Sequence, residues 1–550
     1  MFAINTVGAS TNIYNAGLIT GFIDLTEESD RFFNQSGGVF ETKMTSRFRG
    51  GDDLFYNQSG GTVLAATRAG KRESSRFLGL ETFKNASLIS MQDGGEGDSF
   101  TIANTPGGTD LSYQAKSGSR LAVDAFLGGP SSKSDTLTIQ GDVSGTTKVA
   151  VNNTNAGPGS FNSKGIRVVT ATGKTPNPSA FQLEGGPIDQ GLFNYDLFFT
   201  PTGSGFWSLK SYANGSAYTL PKLITAAQDM WHQTSATWFD RTADLRVVLN
   251  RSAVPVYDDG SKSTGAPVSK GLTPGGWIKL GGSHLDRDAS ATTRAFGRSY
   301  TFNLNGDLDT IDLQMGVDMG QYDVLSQGDA LIFGVLGGFV GGDLDFDSLA
   351  KTFDFSGGQV GAYATYLKDG LFVDTLLNVH LYEVNTPNFG FPGSLDATTV
   401  GLRSDAGYRF GSFTGGAFFE PLATIEVTWA DIDGFNVGGN AVSFSDDANV
   451  RGRIGGRVGT TTQAWEGTMM EPFVIASLWG NLTDDNSARL VSNGTTFQFN
   501  DDLDEVWGEV SAGVNLFNFA ETTSVFAKVD YTFGEDLQGI GGKLGGRVAW

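Results

Sequence analysis

The chain ends on a strand built for two different surroundings. From Ile540 to Trp550, Ile540, Leu544, Val548 and Trp550 share one face with Gly542 and Gly546, while Lys543 and Arg547 share the other with Gly541, Gly545 and Ala549. Period-two spacing puts alternate side chains on opposite faces of a strand, here one apolar and one wet. The same template fits upstream. Val525, Ala527, Val529, Tyr531 and Phe533 alternate with Phe526, Lys528, Asp530 and Thr532, and Leu371, Val373, Leu377, Val379 and Leu381 alternate with Asp374, Asn378 and His380. Val450, Ile454 and Val458 interleave with Arg451, Arg453 and Arg457, and Ile425, Val427 and Trp429 interleave with Glu426 and Thr428. A soluble sandwich would turn the polar set to bulk water, whereas a membrane barrel turns it to a lumen.

About twelve such segments follow Gly275, each of the length a tilted crossing needs. They are read at 275–287, 309–320, 328–340, 358–368, 370–383, 397–410, 414–430, 449–462, 465–481, 504–517, 522–534 and 540–550. Long polar connections (288–308, 341–357, 384–396, 431–448 and 482–503) are separated by tight turns such as Lys368-Asp369-Gly370 and Gly411-Ser412-Phe413. Outer-membrane barrels have this asymmetry, with short turns on the periplasmic side. Leu331 to Val340 is apolar on both faces, so its register stays open.

Composition narrows the function classes. A net charge of −22 over 550 residues argues against nucleic acid as a partner. The chain has no cysteine, which suits a fold that crosses an envelope without disulfides. No run reaches the roughly 18 apolar residues of a membrane helix, and alternation hides strands from hydropathy windows. Met1-Phe-Ala-Ile-Asn-Thr-Val-Gly lacks the basic and apolar segments of a secretory signal, so the reading expects a leader outside this sequence.

The first 213 residues differ from the rest. Asp30-Arg-Phe-Phe-Asn-Gln-Ser-Gly-Gly-Val-Phe recurs as Asp53-Leu-Phe-Tyr-Asn-Gln-Ser-Gly-Gly-Thr-Val, a shift within the range of solenoid coils. Stacked coils bury a continuous apolar column that no single coil could bury, and the repeated Asn-Gln-Ser-Gly-Gly supplies a turn at the coil corner. Pro221 to about Val248 is the one convincing helix, with Ala227, Trp231, Trp238 and Leu245 at intervals of four and seven. At 1.5 Å per residue it is roughly 40 Å long, enough to thread a barrel.

Charges on the wet faces are the best candidates for residue-level roles. Glu420 and Glu426 lie on the strand before Arg451, Arg453 and Arg457, where antiparallel pairing can bring opposite charges together; Arg403, Asp405 and Arg409 add to the set. They are expected to hold Asp229, Asp240, Arg241 or Asp244 of the helix, against the plainer alternative of general lumen polarity. Enzyme readings find no support. His232, His284 and His380 are scattered, no Gly-x-Ser-x-Gly elbow has a histidine partner, and Gly50-Gly51-Asp52-Asp53 reads as a turn rather than a calcium repeat. No catalytic, metal or cofactor site is expected.

With these parts in this order, the chain resembles the monomeric autotransporters of type V secretion over nearly its whole length. The resemblance rests on the solenoid, on Gly141-Asp-Val-Ser-Gly-Thr-Thr-Lys-Val-Ala-Val-Asn-Asn-Thr with Gly165-Ile-Arg-Val-Val, and on Tyr195-Asp-Leu-Phe-Phe followed by Phe206-Trp-Ser-Leu. It continues through the linker helix, Gly276-Trp-Ile-Lys-Leu-Gly-Gly-Ser and the terminal Gly-Gly-Arg-Val-Ala-Trp. It implies an all-β fold with an N-terminal right-handed parallel β-helix passenger and a C-terminal twelve-stranded antiparallel transmembrane barrel. The expected divisions are a β-helix at 1–130, a pertactin-like autochaperone region at 131–213, a linker with the pore-threading helix at 214–270 and the barrel at 271–550. It further implies a monomer in the Gram-negative outer membrane, in contact with lipid, displaying on the cell surface an adhesin or structural module of unknown ligand. Periplasmic chaperones and the barrel-assembly machinery are the implied partners, the latter reading the terminal strand at Leu544, Val548 and Trp550. Some relatives cut themselves at an Asn in the linker helix, but Pro221 to Val248 holds none. The alternative is a porin or solute channel with an N-terminal accessory domain.

Overall fold

The computed structural model describes residues 2–239 and 271–550 apart from short stretches at 69–70, 175, 202–204, 350, 388–389, 414, 484 and 519–522. In the N-terminal part, short strands pair in parallel with strands one coil further on and wind into a β-helix. One internal column stacks Phe32, Phe55, Phe83 and Tyr113, with ring centroids 4.8, 5.1 and 5.6 Å apart in succession. All four rings are buried. Such offset stacking adds to the stabilisation from area burial alone.

A second column is polar. The Asn15 side-chain amide donates to Asn34 Oδ1 at 2.8 Å, Asn34 to Asn57 at 2.8 Å, Asn57 to Asn85 at 2.9 Å and Asn85 to Ser119 Oγ at 2.9 Å. Buried amides tolerate this position only because each donor meets an acceptor in the next coil. The glycine of the repeated motif makes room for it: a Cβ on Gly61 would lie 2.8 Å from Asn57 Oδ1 and 2.7 Å from the Asn34 carbonyl. The echo in the sequence is therefore the physical register Arg31↔Leu54 to Asn34↔Asn57. Later coils are longer, with Asn57 facing Asn85 and Asn85 facing Ala115, so the repeat fades from the sequence while the stack continues.

The β-helix ends in an antiparallel hairpin, Phe193–Thr200 with Gly205–Ala213, whose second strand also pairs with Ile166–Ala171. Asn214 then starts a short helical turn, Gly215–Tyr218, its Oδ1 accepting from Ala217 N at 3.3 Å. The main helix follows at Leu220–Phe239.

Twelve strands close the barrel: Gly271–Arg287, Gly306–Tyr322, Asp329–Phe346, Lys351–Lys368, Leu371–Asn385, Ser394–Tyr408, Gly416–Ile432, Ala448–Trp465, Thr468–Asn481, Val506–Asn518, Thr523–Phe533 and Leu537–Ala549. The first pairs with the last from Gly275↔Ala549 to Arg287↔Leu537, and Trp550 N donates to Pro274 O at 3.1 Å. Closure leaves no free edge, which is what lets a sheet sit in lipid. Ile278, Ile311, Val335, Val360, Leu381, Ile425, Ile454, Val529 and Leu544 are exposed on the outside, whereas Lys279, Asp374, Asn378, Arg453, Asp530 and Lys543 are buried in the lumen. In the strand of open register, Ile332, Leu336 and Val340 turn inward, while Phe333, Val335 and Phe339 face out.

Four of the expected loops differ. The stretch 341–357 is not a loop, because the third and fourth strands run on to Phe346 and back from Lys351. Here the acidic residues Asp343, Asp345 and Asp354 face outward beyond the apolar belt, and Leu344, Phe346, Phe353 and Phe355 are buried inside. Polarity on the outer face looked like loop composition. The stretch 288–308 holds a hairpin, Ser290–Ala295 with Arg298–Asn303. The stretches 431–448 and 482–503 together build a four-stranded sheet of Phe435–Val437, Asn440–Phe444, Asn486–Ser492 and Thr495–Asp501.

Candidate functional site in the barrel lumen

The helix Leu220–Phe239 lies inside the barrel, touching strands on several sides. Near its start, Lys222 Nζ meets Asp501 at 2.7 Å and Thr225 Oγ1 donates to the same carboxylate at 2.6 Å. One turn further, Asp229 sits between two guanidinium groups, Arg451 at 2.7 Å and Arg287 at 2.9 Å. Another turn on, His232 Nδ1 lies 2.5 Å from Glu426 Oε2, and Ser235 Oγ donates to the other oxygen at 3.4 Å. The i, i+3 and i+4 spacing aligns Thr225, Asp229 and His232 along one side of the helix.

On another side, Trp231 packs against the backbone of Gly401. A Cβ there would fall 2.2 Å from the indole, so the close approach requires glycine. Trp231 Nε1 donates to Asn378 O at 3.2 Å, and Gln314 Nε2 donates to Thr234 O at 3.1 Å. Polar side chains and backbone of the wall thus hold both charged and neutral groups of the helix.

The predicted lumen charges are all buried, and the structure sorts them into two groups. Arg403 bridges Glu426 at 2.7 Å and Asp405 at 2.7 Å, and Asp405 takes Arg453 at 3.1 Å. Arg403 also donates to Ser235 Oγ at 3.3 Å, which ties this group to the helix. The second group joins Arg409 and Arg457 to Glu471 at 2.8 and 2.9 Å, with Arg457 also 3.4 Å from Glu420. Glu426 and Arg451 are register partners, yet Arg451 turns to Asp229 and Glu426 to Arg403 and His232. Of the expected helix partners, Asp229 is in contact; Asp240, Arg241 and Asp244 lie outside the described residues, and Trp238 falls on the last described turn of the helix. At the closure, Leu544, Val548 and Trp550 project from the barrel exterior.

Sequence reasoning missed Arg287, His232, Glu471 and Gly401. Arg287 closes the predicted first strand, and nothing local pairs it with Asp229, 58 residues away. His232 lay in the helix without a nearby sequence partner. His284, on the outside of the barrel, brings a ring nitrogen within 4.8 Å of carboxylate oxygens of Asp286 and Asp307.

The closed sheet, apolar outside and filled by the segment that leads to an external β-helix, defines an outer-membrane barrel joined to a stalk-like domain. Residues 276–530 match the family model described as the autotransporter beta-domain, and residues 85–197 match autochaperone domain type 1. The barrel is an autotransporter beta-domain and the β-helix carries an autochaperone domain, the arrangement of a classical autotransporter with its barrel in the outer membrane. The chain is 23% identical over 500 residues to the uncharacterized protein YuaQ of Escherichia coli (strain K12), covering 82% of this chain and 34% of that one. It is 26% identical over 401 residues to the pertactin autotransporter of Bordetella parapertussis, covering 65% of this chain and 41% of that one. The chain thus spans well under half the length of these relatives. The beta domain of the Bordetella autotransporter BrkA aligns with a TM-score of 0.38 at 18% identity, over 50% of this chain and 100% of that one.

Proposed function

We propose that this chain is a surface-display protein whose barrel holds the β-helical passenger outside the cell as an adhesin or structural module. The supporting observation is the lumen helix, which joins the passenger base to the barrel interior and is held at Asp229 between Arg451 and Arg287. A barrel filled this way is suited to anchoring rather than conduction, which disfavours the porin alternative. The lumen charges have two roles in this reading: Arg451, Arg287, Glu426 and Arg403 seat the helix, while Arg409, Arg457, Glu420 and Glu471 brace the wall. The terminal strand with Leu544, Val548 and Trp550 serves as the element read by the barrel-assembly machinery, and it meets the first strand along a continuous register. Planar-bilayer recording of the purified protein tests the proposal. Closed or rare small events are expected, and large steady conductance would favour the channel.

A further inference from the structure

The outer face of the barrel carries a group of side chains that neither lipid nor lumen accounts for. On the first strand, the outward face with Ile278 and Leu280 exposed continues through Gly282 to His284 and Asp286. On the second strand, the face with Ile311 exposed continues the other way to Asp309 and Asp307. The register sets His284 opposite Asp309 and Asp286 opposite Asp307. This is the passenger-bearing end of the barrel, because the hairpin that follows Arg287 reaches Ala213 O through Thr293 Oγ1. The group therefore stands just beyond the apolar belt, where the wall leaves hydrocarbon for water.

The two ring nitrogens of His284 are in different situations. Nδ1 lies 2.8 Å from Asp309 Oδ1, an ordinary hydrogen-bond length, whereas Nε2 lies 3.7 Å from Asp286 Oδ2. The second separation is too long for a hydrogen bond and close to the spacing of about 3.3 Å between two ligands of one tetrahedral zinc ion. One ligand atom from each of His284, Asp286 and Asp307 lies within 4.8 Å of the other two. With Asp309 accepting the Nδ1 proton, the Nε2 lone pair is left for a metal, and a carboxylate on the far nitrogen is how metal-bound histidines are commonly oriented. Asp286 and Asp307 are also like charges directly opposed across a strand pair, which is destabilising unless a cation joins them. Among the described residues, no lysine or arginine forms an ion pair with either.

We propose that His284, Asp286 and Asp307 bind one zinc ion on the outer face of the barrel, with Asp309 as the positioning residue and the remaining coordination place open to a solvent oxygen. An imidazole beside carboxylates suits zinc better than calcium or magnesium, which take oxygen ligands. The ion would join the first strand to the second near the point where the chain leaves the wall, and so clasp that pair. The inference concerns the barrel wall alone and stands apart from the display reading.

The test uses the full chain purified in detergent without added histidines, titrated with Zn2+ in a calorimeter. One saturable site per chain is expected, which Ca2+ and Mg2+ in large excess do not displace, and Co2+ in its place should give the intense visible bands of a tetrahedral site. His284→Ala and the pair Asp286→Asn/Asp307→Asn should abolish the site. Asp309→Asn should weaken it by about tenfold to a hundredfold and shift the Co2+ bands, with Asp309→Glu restoring both. Asp343 and Asp354 are a similarly opposed pair of carboxylates between the third and fourth strands, with no histidine beside them in register, so Asp343→Asn/Asp354→Asn should leave binding unchanged. Heat-modifiable migration checks that each variant is a folded barrel. Lack of saturable Zn2+ binding in the unaltered protein, unchanged binding in folded His284→Ala, or an equal loss in Asp343→Asn/Asp354→Asn would overturn the inference.

Discussion

At the scale of single residues, the lumen is a set of charges that cannot be left unmatched. Asp229 is buried between Arg451 and Arg287, and removing it strands two guanidinium groups in a confined space. Breaking a buried pair from one side costs about 3–5 kcal/mol. Asp229→Ala is therefore expected to lower the thermal midpoint of the folded barrel and raise bilayer conductance; the pair Asp229→Ala with Arg451→Met should recover part of the loss. Gly401 makes a sharper case, because nothing about its chemistry marks it. Its role is the absence of a Cβ beneath Trp231. Gly401→Val is expected to displace the indole, seen as a rise in tryptophan accessibility to acrylamide, while Gly542→Val, where an added Cβ meets nothing within 4 Å, should leave that signal alone. Residue types on the wet faces were legible because charge alternates with grease along each strand. Which charge meets which was not, since register places Arg451 opposite Glu426 but the helix draws it to Asp229.

At the scale of elements, the passenger stores like charges in its turns. Asp53 Oδ1 accepts from Asp30 N at 2.6 Å, Asp98 Oδ1 from Glu73 N at 2.5 Å, and Asp135 Oδ1 from Gly97 N at 3.0 Å. Burial, opposed by these backbone donors, pushes the Asp53 and Asp135 carboxyls up to about 7 and Asp98 to about 6, with neighbouring acidic groups adding to the rise. In the unfolded chain the same groups titrate near about 4. Between those values the folded state binds more protons, so stability falls as pH rises from about 4 to about 7. Chemical denaturation of the displayed passenger is expected to need more denaturant at pH 5 than at pH 8, and Asp53→Asn, which keeps an acceptor without the charge, should narrow the gap. The amide column gives a separate prediction: Asn57→Ala leaves the Asn34 and Asn85 side chains short of a partner and should cost about 1–3 kcal/mol, read from the same denaturation midpoint. Its sequence signature was legible across the single 23-residue step from Asn34 to Asn57 and lost where the next step lengthens to 28.

At the scale of the whole molecule, the twelve crossings and their closure were legible because a barrel wall needs a period of two and a change of solvent across it. What rises above the rim was not. The hairpin 290–303 and the sheet at 435–501 are polar outside and contact the passenger through a few rings, amides and hydroxyls and the Arg298–Asp196 ion pair, so their composition resembles that of free loops. Their passenger partners lie 80 residues or more away in sequence, beyond any local pattern. The central claim, that the barrel spans the outer membrane with the β-helix outside, has a direct measurement because the chain contains no cysteine. A single cysteine at Ser117, on an exposed passenger turn, or at Glu466, on a short turn at the opposite end of the barrel, becomes the sole thiol for a membrane-impermeant maleimide on intact cells. Labelling at position 117 on intact cells, and at 466 only after the outer membrane is permeabilised, is the predicted result; labelling at 466 with none at 117 would contradict it.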